Sequence, residues 1–205
     1  MKGYWNVALF GVDATKPDQL YKNSRSDSIM IASINLDNGE VKLVSVYRDT
    51  YLNIGNDNYR KCNTAYAAGG AQQAIEMLNA NLDMDITDFV TVGYQALMDC
   101  IDGLGGVWIE VDESEIKHIN NYQKTISKDV LNDRPYTEVT KTGYQLLDGL
   151  QATAYCRIRY TKGDDFKRAE RQREVLQAIE DEAKKDGLQD PRAPDEEGAL
   201  YAGCW

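Results

Sequence analysis

Between residues 157 and 173 the chain sets Arg157, Arg159, Lys162, Lys167, Arg168, Arg171 and Arg173 against only Asp164, Asp165 and Glu170. The guanidinium group is a planar fork that stays ionised and grips phosphate oxygens in pairs. The spacing suits that task. In the helix expected from about residue 166, Arg168, Arg171 and Gln172 stand at i, i+3 and i+4 and share a face. Arg157 and Arg159 stand at i and i+2, so on a strand their side chains point the same way. A strand face meeting the first turn of a helix also gains the helix's free N–H groups and partial positive charge. For any one arginine a surface salt bridge is the better reading. For five, on two converging elements, an anion site is favoured. Four or five guanidiniums exceed what a carboxylate needs, so the ligand expected is a phosphate or pyrophosphate.

A second constellation lies near the start of the chain. The apolar run "WNVALFGVD" reads as a buried strand ending in Asp13. "DSIMIASINLDNGEVKLVSVYRD" reads as two strands, residues 28–36 and 41–47, around an Asn-Gly turn, the strongest short hairpin signal. In an antiparallel hairpin the first strand begins where the second ends, which brings Asp27 close to Arg48. Two carboxylates at strand ends suit Mg²⁺, which takes one or two carboxylates together with phosphate oxygens. Loop capping is the competing role for each aspartate alone. The one histidine, His118, lies far along the chain from these segments, so a general base has to be an aspartate.

The rest of the chain supplies the scaffold. Helical spacing runs over 70–82, with Ala71, Ala74, Ile75, Leu78 and Leu82 on one face. "FVTVGY" reads as a strand, "YQALMDCIDGLGG" as a helix closed by glycines, and "VWIEV" as a strand. Residues 113–140 are polar and carry no clear assignment. "GYQLLDGLQATAYCRIRY" reads as a short helix feeding a strand, with Asp164-Asp165 capping the final helix. The pattern is a mixed α/β domain. It runs over 4–185, and the tail 186–205 loses all periodicity.

The totals bound the class. With 205 residues the chain suits one domain with a real core, and its net charge of -10 argues against a broad nucleic-acid surface while leaving room for one basic pocket. No segment is long and apolar enough to span a bilayer. The four cysteines form no CxxC pair, which disfavours zinc. No P-loop or GxGxxG is present, which disfavours a nucleotide enzyme.

Taken in order, "NVALFGVDATK", "SRSDSIMIASIN", "LVSVYRDTYLNI", "KCNTAYAAGG", "AIEMLNANLDMDITDFVTVGYQALMDCIDGLGGVWIEV", "LLDGLQATAYCRIRY" and "GDDFKRAERQREVL" resemble the LytR-CpsA-Psr family over roughly residues 5–180. The resemblance implies an α-β-α layered domain, with a central mixed sheet, a flanking layer of helices and a lipid-binding tunnel. It implies Mg²⁺-dependent transfer of a glycopolymer, of the teichoic acid or capsular polysaccharide class, from polyprenyl pyrophosphate to peptidoglycan. A phosphodiester forms and polyprenyl phosphate leaves. With water as acceptor the same pocket would be a pyrophosphatase, and without turnover a binder of lipid-linked glycans.

Residue by residue, Asp13 in "GVD" and Asp27 in "RSD" match the family's metal-binding aspartates, and Arg25 in "RSD" an arginine near the phosphates. Arg48 in "YRD" matches the arginine of a "PRD" motif, with Tyr47 in place of proline, and Lys61 in "KCN" the lysine of "KIN". Arg157, Arg159, Arg168, Arg171 and Gln172 match the pyrophosphate-binding set. Asp165 matches the aspartate of "GDF", lengthened here to "GDDF". Arg48, Asp49, Arg157, Arg159 and Asp165 are the expected catalytic residues, with Asp49 or Asp165 taking the acceptor's proton. The likeness further implies a domain on the extracellular face of a bacterial membrane, held by an anchor absent from these residues. Disulfides are permitted there, and Cys62, beside Lys61, and Cys156, beside Arg157, are expected to pair.

Overall fold

The structure is a computed structural model that describes residues 3–14, 20, 24–159 and 164–185, with backbone alone at 164 and 165. The expected tail 186–205 lies outside the described residues.

The central sheet has the order β3-β2-β1-β6. Strand β1 (Tyr4–Val12) lies in its interior, antiparallel to β2 (Ser26–Asn35) and parallel to β6 (Asp88–Val92). Strand β3 (Val41–Ser45) closes the Asn-Gly hairpin with β2, as the turn dictates. Two short ribbons complete the strands: β4 (Tyr51–Asn53) with β5 (Tyr59–Lys61), and β7 (Val107–Val111) with β8 (Gly143–Leu147). The domain is thus mixed α/β, with a mixed sheet and antiparallel hairpins flanked by helices, as the sequence indicated.

Strand alternation gives the sheet two different faces. Ala8, Phe10 and Val12 join Ile29 and Ile31 against Tyr66, Ala74, Met77 and Leu78 of helix α1 (Asn63–Leu82). Helix α1 breaks at Gly69-Gly70, where Gly70 adopts φ +67°, so the helical run expected from 70 is its second half. The second apolar cluster gathers α2 (Tyr94–Gly103), β7, α3 (Glu113–Asp129), β8, α4 (Gly149–Tyr155) and α5 (Asp164–Lys185) around Met98, Ile119, Ile126, Leu150 and Val175.

Two segments differ from the sequence reading. Residues 113–129, unassigned there, form α3. The Glu115 carboxylate accepts the Asp112 N–H at 3.0 Å, so the Asp-x-x-Glu pattern is a capping signal in a polar stretch. In 143–159 the order is reversed: strand β8 feeds helix α4, not helix a strand. Asp148 and Gln151 bond each other's backbone N–H groups at 2.8 and 3.0 Å and fix the helix start at Gly149. Beyond Tyr155 the chain keeps turning, with the Arg157 and Ile158 N–H groups donating to Ala154 and Tyr155 carbonyls. Arg157 and Arg159 therefore flank the fully buried Ile158 in a turn rather than lining a strand face.

Gly149 is the tightest joint between α2 and α4. Its N–H donates to Asp102 at 2.7 Å, and a Cβ there would meet the Met98 carbonyl, with Met98 Cα at 2.8 Å and Asp102 Oδ1 at 2.9 Å. Backbone cannot yield as a side-chain tip can. Gly149→Ala should cost about 2 kcal/mol or more, read as a lower urea midpoint with unchanged slope.

Candidate active site

The site is organised by Asp27. At the end of β1 the register with β2 shifts: Gly11 faces Ser28 but Val12 faces Ser26, leaving Asp27 at the irregularity. Its side chain is 19% exposed and gathers three guanidiniums. Arg48 Nη1 donates to Oδ1 at 2.8 Å, Arg159 Nη2 to Oδ2 at 3.1 Å, and Arg168 Nη2 lies 3.3 Å from the same oxygen. These arginines come from the β3–β4 link, the turn after α4 and the start of α5. The contact of Asp27 with Arg48 is the one the hairpin geometry required.

The cluster extends along the rim. Lys61 Nζ lies 2.7 Å from Asp49 Oδ1, and Arg48 Nε lies 3.8 Å from Asp49 Oδ2. On the other side the Tyr94 hydroxyl donates to Asp13 Oδ1 at 2.7 Å. Burial pushes the Tyr94 hydroxyl well above the usual phenol range, so it remains a donor. The Arg157 guanidinium carbon sits 4.8 Å from the Tyr94 ring centre and 5.3 Å from that of Tyr122. Among the described residues no carboxylate pairs with Arg157 within ion-pair distance. Arg25 is exposed, and its carbonyl accepts the Asp13 N–H at 3.2 Å.

Behind this rim lies a cavity of about 230 Å³. Its floor is the sheet face opposite α1. Two cross-strand rows form it, Met30–Leu9–Val90 and Ser28–Gly11–Val92. In the second row a Cβ on Gly11 would stand 2.9 Å from the Ser28 Cβ, so small residues keep the floor low next to the charges. Leu97, Cys156, Val175 and Leu176 supply the walls, and Asp27, Arg157, Arg168 and Gln172 the polar end. Apolar walls closed by guanidiniums fit an amphiphile with an anionic head.

Residues 1–188 match the model of the LytR_cpsA_psr family. The chain belongs to that family. It is 33% identical over 177 residues to the polyisoprenyl-teichoic acid–peptidoglycan teichoic acid transferase TagU of Enterococcus faecalis, covering 85% of this chain and 52% of that one. It is 31% identical over 185 residues to TagT of Bacillus subtilis, covering 89% and 54%. The chain spans about half the length of these curated relatives. Among solved structures, the family protein YwtF (TagT) with bound octaprenyl pyrophosphate lipid superposes with a TM-score of 0.69 at 30% identity, over 90% of this chain and 66% of that one. TagT bound to LI-WTA gives 0.72 at 31%, over 91% and 67%.

Within this LytR-CpsA-Psr domain the expected site residues, apart from the exposed Arg25, separate into three groups. Asp13, Asp27, Arg48, Asp49, Lys61, Arg157, Arg159, Arg168 and Gln172 gather around the cavity mouth and its rim. Arg171 does not reach the cavity. It is 1% exposed; its Nε donates to Glu115 at 2.8 Å and its Nη1 to the Ile158 carbonyl at 3.3 Å. Successive helical residues turn by about 100°, so i+3 and i+4 fall on opposite sides of Arg168: Gln172 faces the cavity and Arg171 faces α3. The Asp165 side chain lies outside the described residues. Tyr94, Tyr122 and Glu115 were missed. Tyr94 was accessible through topology, because parallel β1 and β6 end side by side.

The expected Cys62–Cys156 pair is not formed: both are free thiols, Cys62 buried in the α1 cluster and Cys156 in the other. Burial, aided by Asp49, pushes Cys62 up to about 11, and burial pushes Cys156 up to about 12. At pH 8 neither is a thiolate. In the folded protein Ellman's reagent should label the exposed Cys100 and spare these two, which should react in urea; a Cys62–Cys156 cross-linked peptide would contradict this.

The Arg171–Glu115 pair yields a stability prediction. Glu115→Leu strands a buried guanidinium and should cost about 3–5 kcal/mol. Adding Arg171→Met should restore much of the loss, as measured by urea unfolding.

Proposed function

We propose that this chain is the catalytic domain of a cell-wall glycopolymer phosphotransferase. It moves a polymer of the teichoic acid or capsular polysaccharide class from polyprenyl pyrophosphate onto peptidoglycan, at the outer face of a bacterial membrane, held there by an anchor outside these residues. The supporting observation is the apolar cavity capped by Asp27, Arg157 and Arg168. Isoprenoid chain suits its walls, and pyrophosphate suits the guanidiniums.

In this reading Arg48, Arg159 and Arg168 exchange Asp27 for phosphate oxygens, and Arg157 joins them with Arg25, Lys61 and Gln172 nearby. Arg171 supports the set through the Ile158 carbonyl. A peptidoglycan sugar hydroxyl attacks the phosphorus that bears the glycan. The new O–P bond forms as the bond to polyprenyl phosphate breaks, and the hydroxyl proton passes to a carboxylate, Asp49 or Asp165. Positioning and charge neutralisation supply most of the rate in such transfers.

The donor set fits Mg²⁺. Asp13 follows β1 and Asp27 lies in β2, so their carboxylates offer hard oxygens at the same end of the sheet, and among the described residues no group of three or more His, Cys, Asp or Glu side chains could hold an ion. An ion there would take its remaining ligands from phosphate and water. When bound it would neutralise phosphate charge.

The test incubates the protein with octaprenyl pyrophosphate in Mg²⁺ or EDTA and follows octaprenyl phosphate by mass spectrometry. Turnover should require Mg²⁺ and fall at least roughly a hundredfold in Arg157→Ala and Asp27→Ala. Adding lipid-linked glycan and peptidoglycan should divert product into the phosphodiester. Absence of both turnover and thermal stabilisation by the lipid would sink the reading.

A further inference from the structure

Tyr94 touches both halves of the site. Gly11 of β1 pairs with Val92 of β6, and two residues on from that pair, past the ends of both strands, stand Asp13 and Tyr94, the first residue of α2. This equal register puts the hydroxyl 2.7 Å from the Asp13 carboxylate. The same ring lies 4.8 Å under the Arg157 guanidinium, which has Tyr122 as a second aromatic neighbour. Tyr94 also lines the cavity. We propose that Tyr94 is a positioning residue coupling the two halves of the site: its hydroxyl orients Asp13 and its ring seats Arg157.

The two functions reside in different parts of one side chain. A ring face holds a guanidinium by cation–π attraction without neutralising it, so Arg157 keeps its full charge for an anion. Arg48, Arg159 and Arg168, by contrast, must leave a carboxylate first. The hydroxyl takes one oxygen of Asp13 and fixes the carboxylate plane, leaving the other oxygen for a cation. Phenylalanine at 94 removes one function and leucine removes both.

The experiment uses wild type, Tyr94→Phe and Tyr94→Leu, each checked for folding by circular dichroism. The first readout is the rate at which phenylglyoxal modifies Arg157 without ligand, mapped by peptide mass spectrometry. Tyr94→Phe should match wild type, and Tyr94→Leu should react roughly threefold to tenfold faster, the range of a cation–π contact. The second readout rests on the proposed function: binding of geranylgeranyl pyrophosphate in EDTA, then the Mg²⁺ concentration giving half-maximal thermal stabilisation with lipid present. Tyr94→Phe should keep the EDTA affinity yet need roughly tenfold more Mg²⁺, the size of a charge-assisted hydrogen bond. Tyr94→Leu should lose affinity in EDTA as well. A merely structural tyrosine would lower the melting temperature without splitting the cation and lipid readouts.

Unchanged Arg157 reactivity in Tyr94→Leu, or an unchanged Mg²⁺ requirement in Tyr94→Phe, overturns the proposal. If wild type binds no lipid, the functional reading fails instead; the phenylglyoxal rates then decide the Tyr94–Arg157 contact, and equal rates overturn it.

Discussion

Three guanidiniums do not share a few ångströms unaided. Two unit charges 4 Å apart repel by about 4 kcal/mol at the effective dielectric of a protein surface. The Asp27 carboxylate answers that repulsion by accepting from Arg48 and Arg159 and standing beside Arg168. It draws together the hairpin end, the turn after α4 and the start of α5. One negative charge leaves the cluster positive.

That charged cluster is supported from beneath by a different kind of contact. Arg171 and Glu115 are both buried, and Glu115 also caps α3. One carboxylate thus begins a helix and holds the arginine whose other nitrogen grips the Ile158 carbonyl, between Arg157 and Arg159. The turn that presents the outer arginines is fixed from the inside.

Sequence was most informative where chemistry is local. The Asn-Gly turn specified a hairpin, and the hairpin specified that Asp27 and Arg48 meet. The apolar run "WNVALFGVD" identified a buried strand. Reading failed where one pattern served two structures. "CRIRY" has strand-like alternation, but the Asp148–Gln151 cap commits the preceding residues to a helix whose turn continues past it. Arg168, Arg171 and Gln172 read as one face because helical spacing tolerates both i+3 and i+4; only the neighbouring α3 decides that Arg171 turns inward. Tyr94 and Asp13 are 81 residues apart, and no local signal joins them.

The parallel pairing of β1 with β6 also bears on how the molecule is made. β1 is the first strand of the chain, and β6 lies far downstream, with Trp5 bonded to Asp88 across 83 residues. Arg159 reaches Asp27 across 132. Loop closure over such spans carries a large entropy and delays the contacts that need it. The hairpin and α1 can assemble early, on their own stretch of chain, while the charged mouth waits for α5. The contacts that close the charged mouth therefore span some of the longest stretches of chain, the class that loop closure makes slowest to form.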